Sequence, residues 1–252
     1  MYTIPSLERQ MLRRSLLVVV AASIAAETAQ AQVFLSQPTH GAGRGTWSVD
    51  VGGQVAQPTG GFRSNVDVAW GVGAAVRHHF RWFQQLGLRA DFAFLNYGNE
   101  TKRVPLSPSV NRVVVDMTTS NNIAVLSGGP ELKLASGPIQ PYVYGFAGYS
   151  YFYTQSSVGS DNDGNVFATS TNFGDGGLAT GWGGGLSVPL RVRSANIAID
   201  AGARRTINGT RSYLRRGDIQ DQPDGSMQFS ARTTDADFWQ FHLGASFSFR
   251  NR

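Results

Sequence analysis

From Trp47 onward the chain repeats one rule: apolar residues alternate with small or polar ones, stop, and start again, eight times before Phe249. The last instance, "FWQFHLGASFSF" from Phe238 to Phe249, puts Trp239, Phe241, Leu243, Ala245, Phe247 and Phe249 on one side. Gln240, His242, Gly244, Ser246 and Ser248 fall on the other. A period of two is the mark of a β-strand, whose successive side chains leave opposite faces of the pleat. Trp47 to Val55, Val68 to Arg77, Leu86 to Phe94, Asn122 to Ala135, Leu178 to Leu190 and Asn196 to Arg204 follow the same rule. "PYVYGFAGYSYFY", Pro141 to Tyr153, is also a strand, but aromatics in both registers leave its faces unassigned.

The connections narrow the topology further. "RWFQQ", "SGP" and "RVRS" join strands two to three, four to five and six to seven, lengths suited to hairpins. The remaining connections, Pro58–Asp67, Tyr97–Asn121, Thr154–Gly176 and Thr206–Ala236, are long and polar. Short and long alternate throughout, which describes an antiparallel up-and-down meander with both termini at the short-turn end. The long stretch around "KRVPLSPSVNRVVVDM" leaves open a further hairpin, and so ten strands in place of eight.

Composition decides what the two faces meet. The polar side carries mostly Gly, Ala and Ser, with 30 Gly in the chain and only 15% charged residues, against a usual charged share of about 25%. A soluble barrel would present Lys, Glu, Asn and Thr to water there. The few charges are of both signs: Asp50, Asp91, Glu131 and Asp200 against Arg77, Arg89, Lys133 and Arg204. Buried charges persist only when paired, and a narrow lumen would pair them. Trp47, Trp70, Phe80, Tyr142, Trp182, Trp239 and Phe249 fall near strand ends, as interfacial aromatic girdles do. The expected fold is all-β, an eight-stranded antiparallel up-and-down transmembrane β-barrel over residues 46–249.

The N-terminus fits export. Arg13 and Arg14 precede "SLLVVVAASIAA", and Ala29-Gln30-Ala31 closes the segment, so residues 1–31 read as a signal peptide cleaved after Ala31, with Met11 an alternative start. The apolar run is about half the roughly 20 residues a spanning helix needs. Removing three Arg and two Glu leaves 19 basic and 15 acidic residues, a net charge of +4. Residues 32–45 read as a flexible lead. With no cysteine, neither disulfides nor thiolate chemistry are available.

The "PYVYGFAGYSY" strand, the "NIAIDAGARR" strand with its inward Asp and Arg, the exported cysteine-free chain and the aromatic-ended last strand carry a resemblance. The chain resembles the small bacterial outer-membrane β-barrel proteins, a group that includes the barrel of outer membrane protein A, OmpX-like proteins and opacity-type porins. The resemblance spans roughly Thr46–Phe249 and implies a cell outer membrane location, outer-membrane lipids and lipopolysaccharide as surroundings, and insertion by the outer-membrane assembly machinery. Arg250-Asn251-Arg252 after Phe249 depart from a pattern in which the final aromatic ends the chain.

No catalytic, cofactor or metal residues are expected. "DNDGN", Asp161–Asn165, lacks the Gly and Glu that a calcium loop needs at its sixth and twelfth positions, where Val166 and Asn172 stand. "GWGGG", Gly181–Gly185, reads as close packing inside the barrel. His78 and His79 are adjacent and point to opposite faces. His242 and Ser246, four apart and lumen-facing, argue against a lipid hydrolase. In "RRTINGTRSYLRRGD" the guanidinium groups of Arg205, Arg211, Arg215 and Arg216 are candidate lipopolysaccharide contacts, balanced by a solvated-loop reading. The expected function is a structural or surface-interaction role for a monomer that does not bind nucleic acid. A narrow solute channel is the first alternative and a lipid-modifying enzyme the second.

Overall fold

The computed structural model describes residues 46–107, 110–159, 166–192, 195–221 and 227–250. The signal peptide, the 32–45 lead and the DNDGN stretch lie outside the described residues. Eight strands close into an antiparallel ring: β1 (Thr46–Pro58), β2 (Ala69–His79), β3 (Leu86–Ser107), β4 (Val110–Lys133), β5 (Gln140–Gly159), β6 (Val166–Val192), β7 (Ala195–Ile207) and β12 (Phe238–Arg250). Each pairs with its neighbour in sequence, and β1 closes the ring by pairing with β12 from Thr46↔Arg250 to Pro58↔Phe238. Closure leaves no backbone edge within the ring, a condition for crossing hydrocarbon.

The register fixes the barrel's shape. Stepping around the ring through paired residues leads from Thr46 to His79, Gly87, Glu131, Tyr144, Gly183, Arg204, Gln240 and back into β1 at Ala56, ten residues above the start. With about 3.3 Å rise per residue and about 4.8 Å between strands, that offset inclines eight strands at roughly 40° to the axis. The interior is then only wide enough for side chains.

Polarity is distributed opposite to that of a soluble protein. Trp70, Val72, Leu126, Leu178, Leu243 and Phe249 are among the side chains exposed on the outside. Asp50, Arg77, Arg89, Asp91, Glu131, Asp200 and Arg204 are all buried within. Only a solvent of hydrocarbon makes such an exterior favourable, so this is a transmembrane barrel.

Two expectations change outside the belt. The Tyr97–Asn121 and Thr154–Gly176 connections are in large part strand: β3 and β4 stay paired out to Ser107↔Val110, and β5 and β6 out to Gly159↔Val166. The extra length therefore extends existing strands, and the barrel count stays at eight. The Thr206–Ala236 connection folds into two short ladders, β8 (Thr210–Tyr213) with β11 (Arg232–Asp235) and β9 (Ile219–Asp221) with β10 (Met227–Phe229). In the β1–β2 connection one helical turn, α1 (Gly60–Arg63), carries the fully buried Phe62.

Candidate functional site

The lumen has three levels, and parity along each strand decides what enters it. Arg77 occupies the middle level: its Nη2 donates to Asp50 Oδ1 and to Asp200 Oδ2 (3.2 Å), and its Nη1 lies 3.8 Å from Glu131 Oε1. Arg89 Nε donates to both Asp91 oxygens (2.8 and 2.9 Å), while its Nη1 donates to Glu131 Oε2 at 3.2 Å. Glu131, wholly enclosed, thus links the two guanidinium groups, and His79 Nε2 approaches it to 3.2 Å. Asp200 Oδ1 also accepts from Tyr142 OH at 2.8 Å and lies 2.9 Å from His242 Nε2.

Aromatic rings complete this level. Tyr142, Tyr144 and Phe146 project inward from β5, with Arg77 and Arg89 over the Tyr142 ring at 5.2 and 5.6 Å and Arg89 over Tyr144 at 4.5 Å. Such contacts stabilise a cation beyond its ion pairs. Their space is made by the "GWGGG" run: a Cβ on Gly181 would meet Phe146 Cζ at 2.7 Å, one on Gly183 the Tyr144 ring at 2.8 Å, and one on Gly185 Tyr142 Oη at 2.6 Å. Tyr142, expected in the interfacial girdle, is instead a lumen residue only 2% exposed. It is out of phase with the outward Val143, Tyr149 and Tyr151.

Two of the expected lumen charges are held differently from the rest. Arg204 forms no ion pair within 4 Å among the described residues; its Nε donates to Gln240 Oε1 at 2.7 Å and its guanidinium lies 5.2 Å over Phe146. Gln240 Nε2 in turn donates to Gln54 Oε1. Asp200, the acid on the same strand, sits four residues lower on β7 and is already engaged by Arg77, Tyr142 and His242, which leaves Arg204 to neutral partners. Lys133 is half-buried at the short-turn end, where it helps line a cavity of about 160 Å³ with Arg77, His79, Ser48, Ser246 and Ser248.

Above the charges the lumen is sealed by an apolar plug. Phe62 packs edge-on against Tyr97, Phe152 and Tyr213 at 5.9, 5.8 and 4.9 Å. Leu95, Ile123, Val125 and Phe238 close around them. Asn65 Nδ2 donates to Tyr213 OH (3.0 Å), and Tyr97 OH to Leu214 O (3.0 Å), fastening the loops over the opening.

The four candidate surface arginines are scattered. Arg205 points outward between Trp182 and Trp239, its cross-strand partners, and its Nη2 pairs with Asp237 Oδ2 at 3.0 Å. Arg211 donates to Leu178 O (2.8 Å) and Thr210 O (2.8 Å), Arg215 Nε lies 3.5 Å from Asp218 Oδ1, and Arg216 Nε donates to Asn99 O at 3.0 Å. Each is engaged within the protein, and they form no single cluster. The His78 ring packs outward against Trp47, tilted by 36° with centroids 4.4 Å apart, and Ser246 accepts from Arg77 at 3.4 Å, remote in role from His242. Sequence reasoning missed Phe62 and Tyr213, which no periodicity marks; His79 was findable, since it shares the face of Arg77.

No family model matches the sequence, and no curated protein matches it. Among solved structures, the attachment invasion locus protein Ail of Yersinia pestis, in complex with the heparin analogue sucrose octasulfate, is 14% identical, covers 82% of this chain and 99% of its own, and has a TM-score of 0.42. A major outer membrane protein from Thermus thermophilus is 15% identical over 81% of this chain and 99% of its own, TM-score 0.44. The outer membrane protein OprG from Pseudomonas aeruginosa is 14% identical over 84% and 99%, TM-score 0.41. The chain is similar in fold to these small outer-membrane barrels.

Proposed function

We propose that this chain is an integral protein of the cell outer membrane, exported with its first 31 residues removed, with a structural and surface-interaction role. The observation that carries the reading is the pairing of an apolar exterior with a lumen filled twice over, by an ion-paired level and by an aromatic plug. Filled interiors support a wall element that presents loops and do not favour a diffusion path. Lipopolysaccharide and phospholipid headgroups are the partners proposed for the rim, where Arg205 stands outward between two tryptophans. The scattered placement of Arg211, Arg215 and Arg216 favours loop bracing for those three. His242 is engaged by Asp200 and Ser246 by Arg77, so the two form no nucleophile–base pair, and both face the lumen away from lipid, which favours a non-catalytic role for them. The protein inserts through the assembly machinery as a monomer.

Planar-bilayer recording tests this reading against the channel alternative. Purified protein should give no steady conductance steps, and its gel band should shift on boiling as a folded barrel opens. Discrete, reproducible steps would overturn the structural reading in favour of transport. A band unchanged by boiling would overturn the membrane assignment itself.

A further inference from the structure

At the short-turn end the lumen widens into the cavity of about 160 Å³, which opens past the exposed Pro189 and Asn196. Arg77, His79 and Lys133 line it, and no carboxylate among the described residues does. Asp50, Asp200 and Glu131 are held by the terminal nitrogens of Arg77 and do not reach the cavity surface. Several donors are left over. Arg77 and Ser48 are both more than nine-tenths buried, at 3% and 7% exposed, yet Arg77 Nε has no partner and neither has the Ser48 hydroxyl. Ser48 faces the cavity between Arg77 and Ser248, its cross-strand neighbours. The Lys133 ammonium and the hydroxyls of Ser187 and Ser248 also form no hydrogen bond or ion pair among the described residues. Buried donors in folded proteins are almost always satisfied. A set of unsatisfied ones around a single basic cavity marks a place built for an acceptor.

We propose that this cavity binds a phosphate group, which enters from the end of the barrel that carries both termini. Charge selects an anion over water alone. The lumen's four carboxylates match Arg77, Arg89, Arg204 and Lys133 in number, but Lys133 has its opposite charge at a distance, whereas an anion in the cavity meets it in contact. Shape selects the kind of anion. A planar carboxylate is matched by the guanidinium fork, and the fork of Arg77 is already spent on Asp50 and Asp200. What remains is an ammonium, three hydroxyls and one Nε, single donors that converge from β1, β2, β4, β6 and β12. Donors arriving from separate directions suit the tetrahedral oxygens of phosphate. The cavity also exceeds by about tenfold the roughly 10–15 Å³ that one water needs, so the group enters with part of its hydration. Free inorganic phosphate and the phosphate of a lipid headgroup in the adjacent leaflet offer the same chemistry.

Lysine supplies a matched control, because the chain has only two, Lys133 in the cavity and Lys102 at the long-loop end. The folded full-length protein would be titrated by calorimetry in maltoside micelles, which carry no phosphate, at an ionic strength fixed with chloride. The probes are inorganic phosphate, dihexanoylphosphatidic acid and acetate. At least one of the two phosphates should bind saturably, with acetate at least tenfold weaker. Lys133→Gln should weaken that binding about tenfold or more and Ser48→Ala about threefold, while Lys102→Gln leaves it unchanged. Binding of inorganic phosphate assigns the site to the free anion, and binding of dihexanoylphosphatidic acid alone assigns it to a headgroup. No saturable binding of either phosphate by the unsubstituted protein would overturn the proposal, whatever the variants do. So would equal weakening by Lys133→Gln and Lys102→Gln, or acetate binding as tightly as phosphate. The heat-dependent gel shift of each sample reports the folded barrel separately, so a lost site and a lost barrel give different results.

Discussion

The middle of the lumen and its outer end are equally inaccessible to solvent, yet they are filled by opposite chemistry. In the middle Arg77, Arg89, Asp50, Asp91, Glu131 and Asp200 satisfy one another; at the outer end Phe62, Phe152, Tyr213 and Phe238 pack with aliphatic neighbours. The difference follows from what each level competes against. Side chains facing lipid gain little by leaving it, so the hydrophobic effect does not assemble the spanning part of the barrel. There the backbone ladder and a specific polar network must select the register. The outer end is bathed by water when its loops are open, so apolar burial worth about 1.5–3 kcal/mol per large side chain is available to close it. Polar contacts specify the tube, and apolar contacts shut it.

That division is broken most directly at Glu131. Glu131→Ala leaves Arg89 and Arg77 each short of a carboxylate in an enclosed level, and loss of one partner from a buried ion pair costs about 3–5 kcal/mol. Urea unfolding in lipid vesicles should show the loss as one cooperative transition at lower denaturant, because the network touches strands all around the ring. Phe62→Ala should cost about 3 kcal/mol at its own site, read out differently. Loops over residues 60–66 and 210–236 should become protease-sensitive while the barrel transition moves little. Equal global shifts for the two variants would erase the distinction between the levels.

The same contrast explains what the bare sequence discloses. Parity within a strand is local, so alternation puts Asp50, Arg77, Arg89, Asp91, Glu131, Asp200 and Arg204 on the polar face of their strands, and the small-residue, low-charge composition of that face turns it inward. β5 resists that reading because Tyr142, Tyr144 and Phe146 fill the lumen while Val143, Tyr149 and Tyr151 face lipid. Its phase is set by Gly181, Gly183 and Gly185 on the neighbouring strand, roughly forty residues away, where absent side chains leave room for rings. The strand extensions of β3 to β6 are hidden for a related reason: outside hydrocarbon both faces meet water, and alternation has no cause. The plug is hidden because α1 is one turn long and its single anchor, Phe62, is defined by loops that converge only in three dimensions.

A smaller effect sharpens the middle level. Gly183→Val places atoms where Tyr144 Cζ and Arg204 Cβ already lie, 2.8 and 2.7 Å from where the new Cβ would stand. Overpacking of this kind costs about 1–3 kcal/mol. The barrel should still close, with Tyr144 displaced from beneath Arg89, and near-ultraviolet circular dichroism should register the altered tyrosine environment. Gly53→Val, on the outward face with nothing within 4 Å of its Cβ, should leave that spectrum unchanged.

The smallest effect belongs to the rim. Arg205 and Asp237 are each about one-fifth exposed, at 20% and 21% of the side chain, so water and salt screen their 3.0 Å pair. Pairs of this kind contribute about 0.2–1 kcal/mol, and Arg205→Ala should lower stability by no more than that in zwitterionic vesicles. In vesicles rich in phosphatidylglycerol the loss should be larger, because a guanidinium between Trp182 and Trp239 is then also deprived of phosphate oxygens within reach of its remaining donors. An equal loss in both lipids would confine Arg205 to its pairing with Asp237 and remove headgroup contact from the rim. A loss above about 2 kcal/mol in either would place the rim among the elements that hold the barrel together, which its exposure argues against.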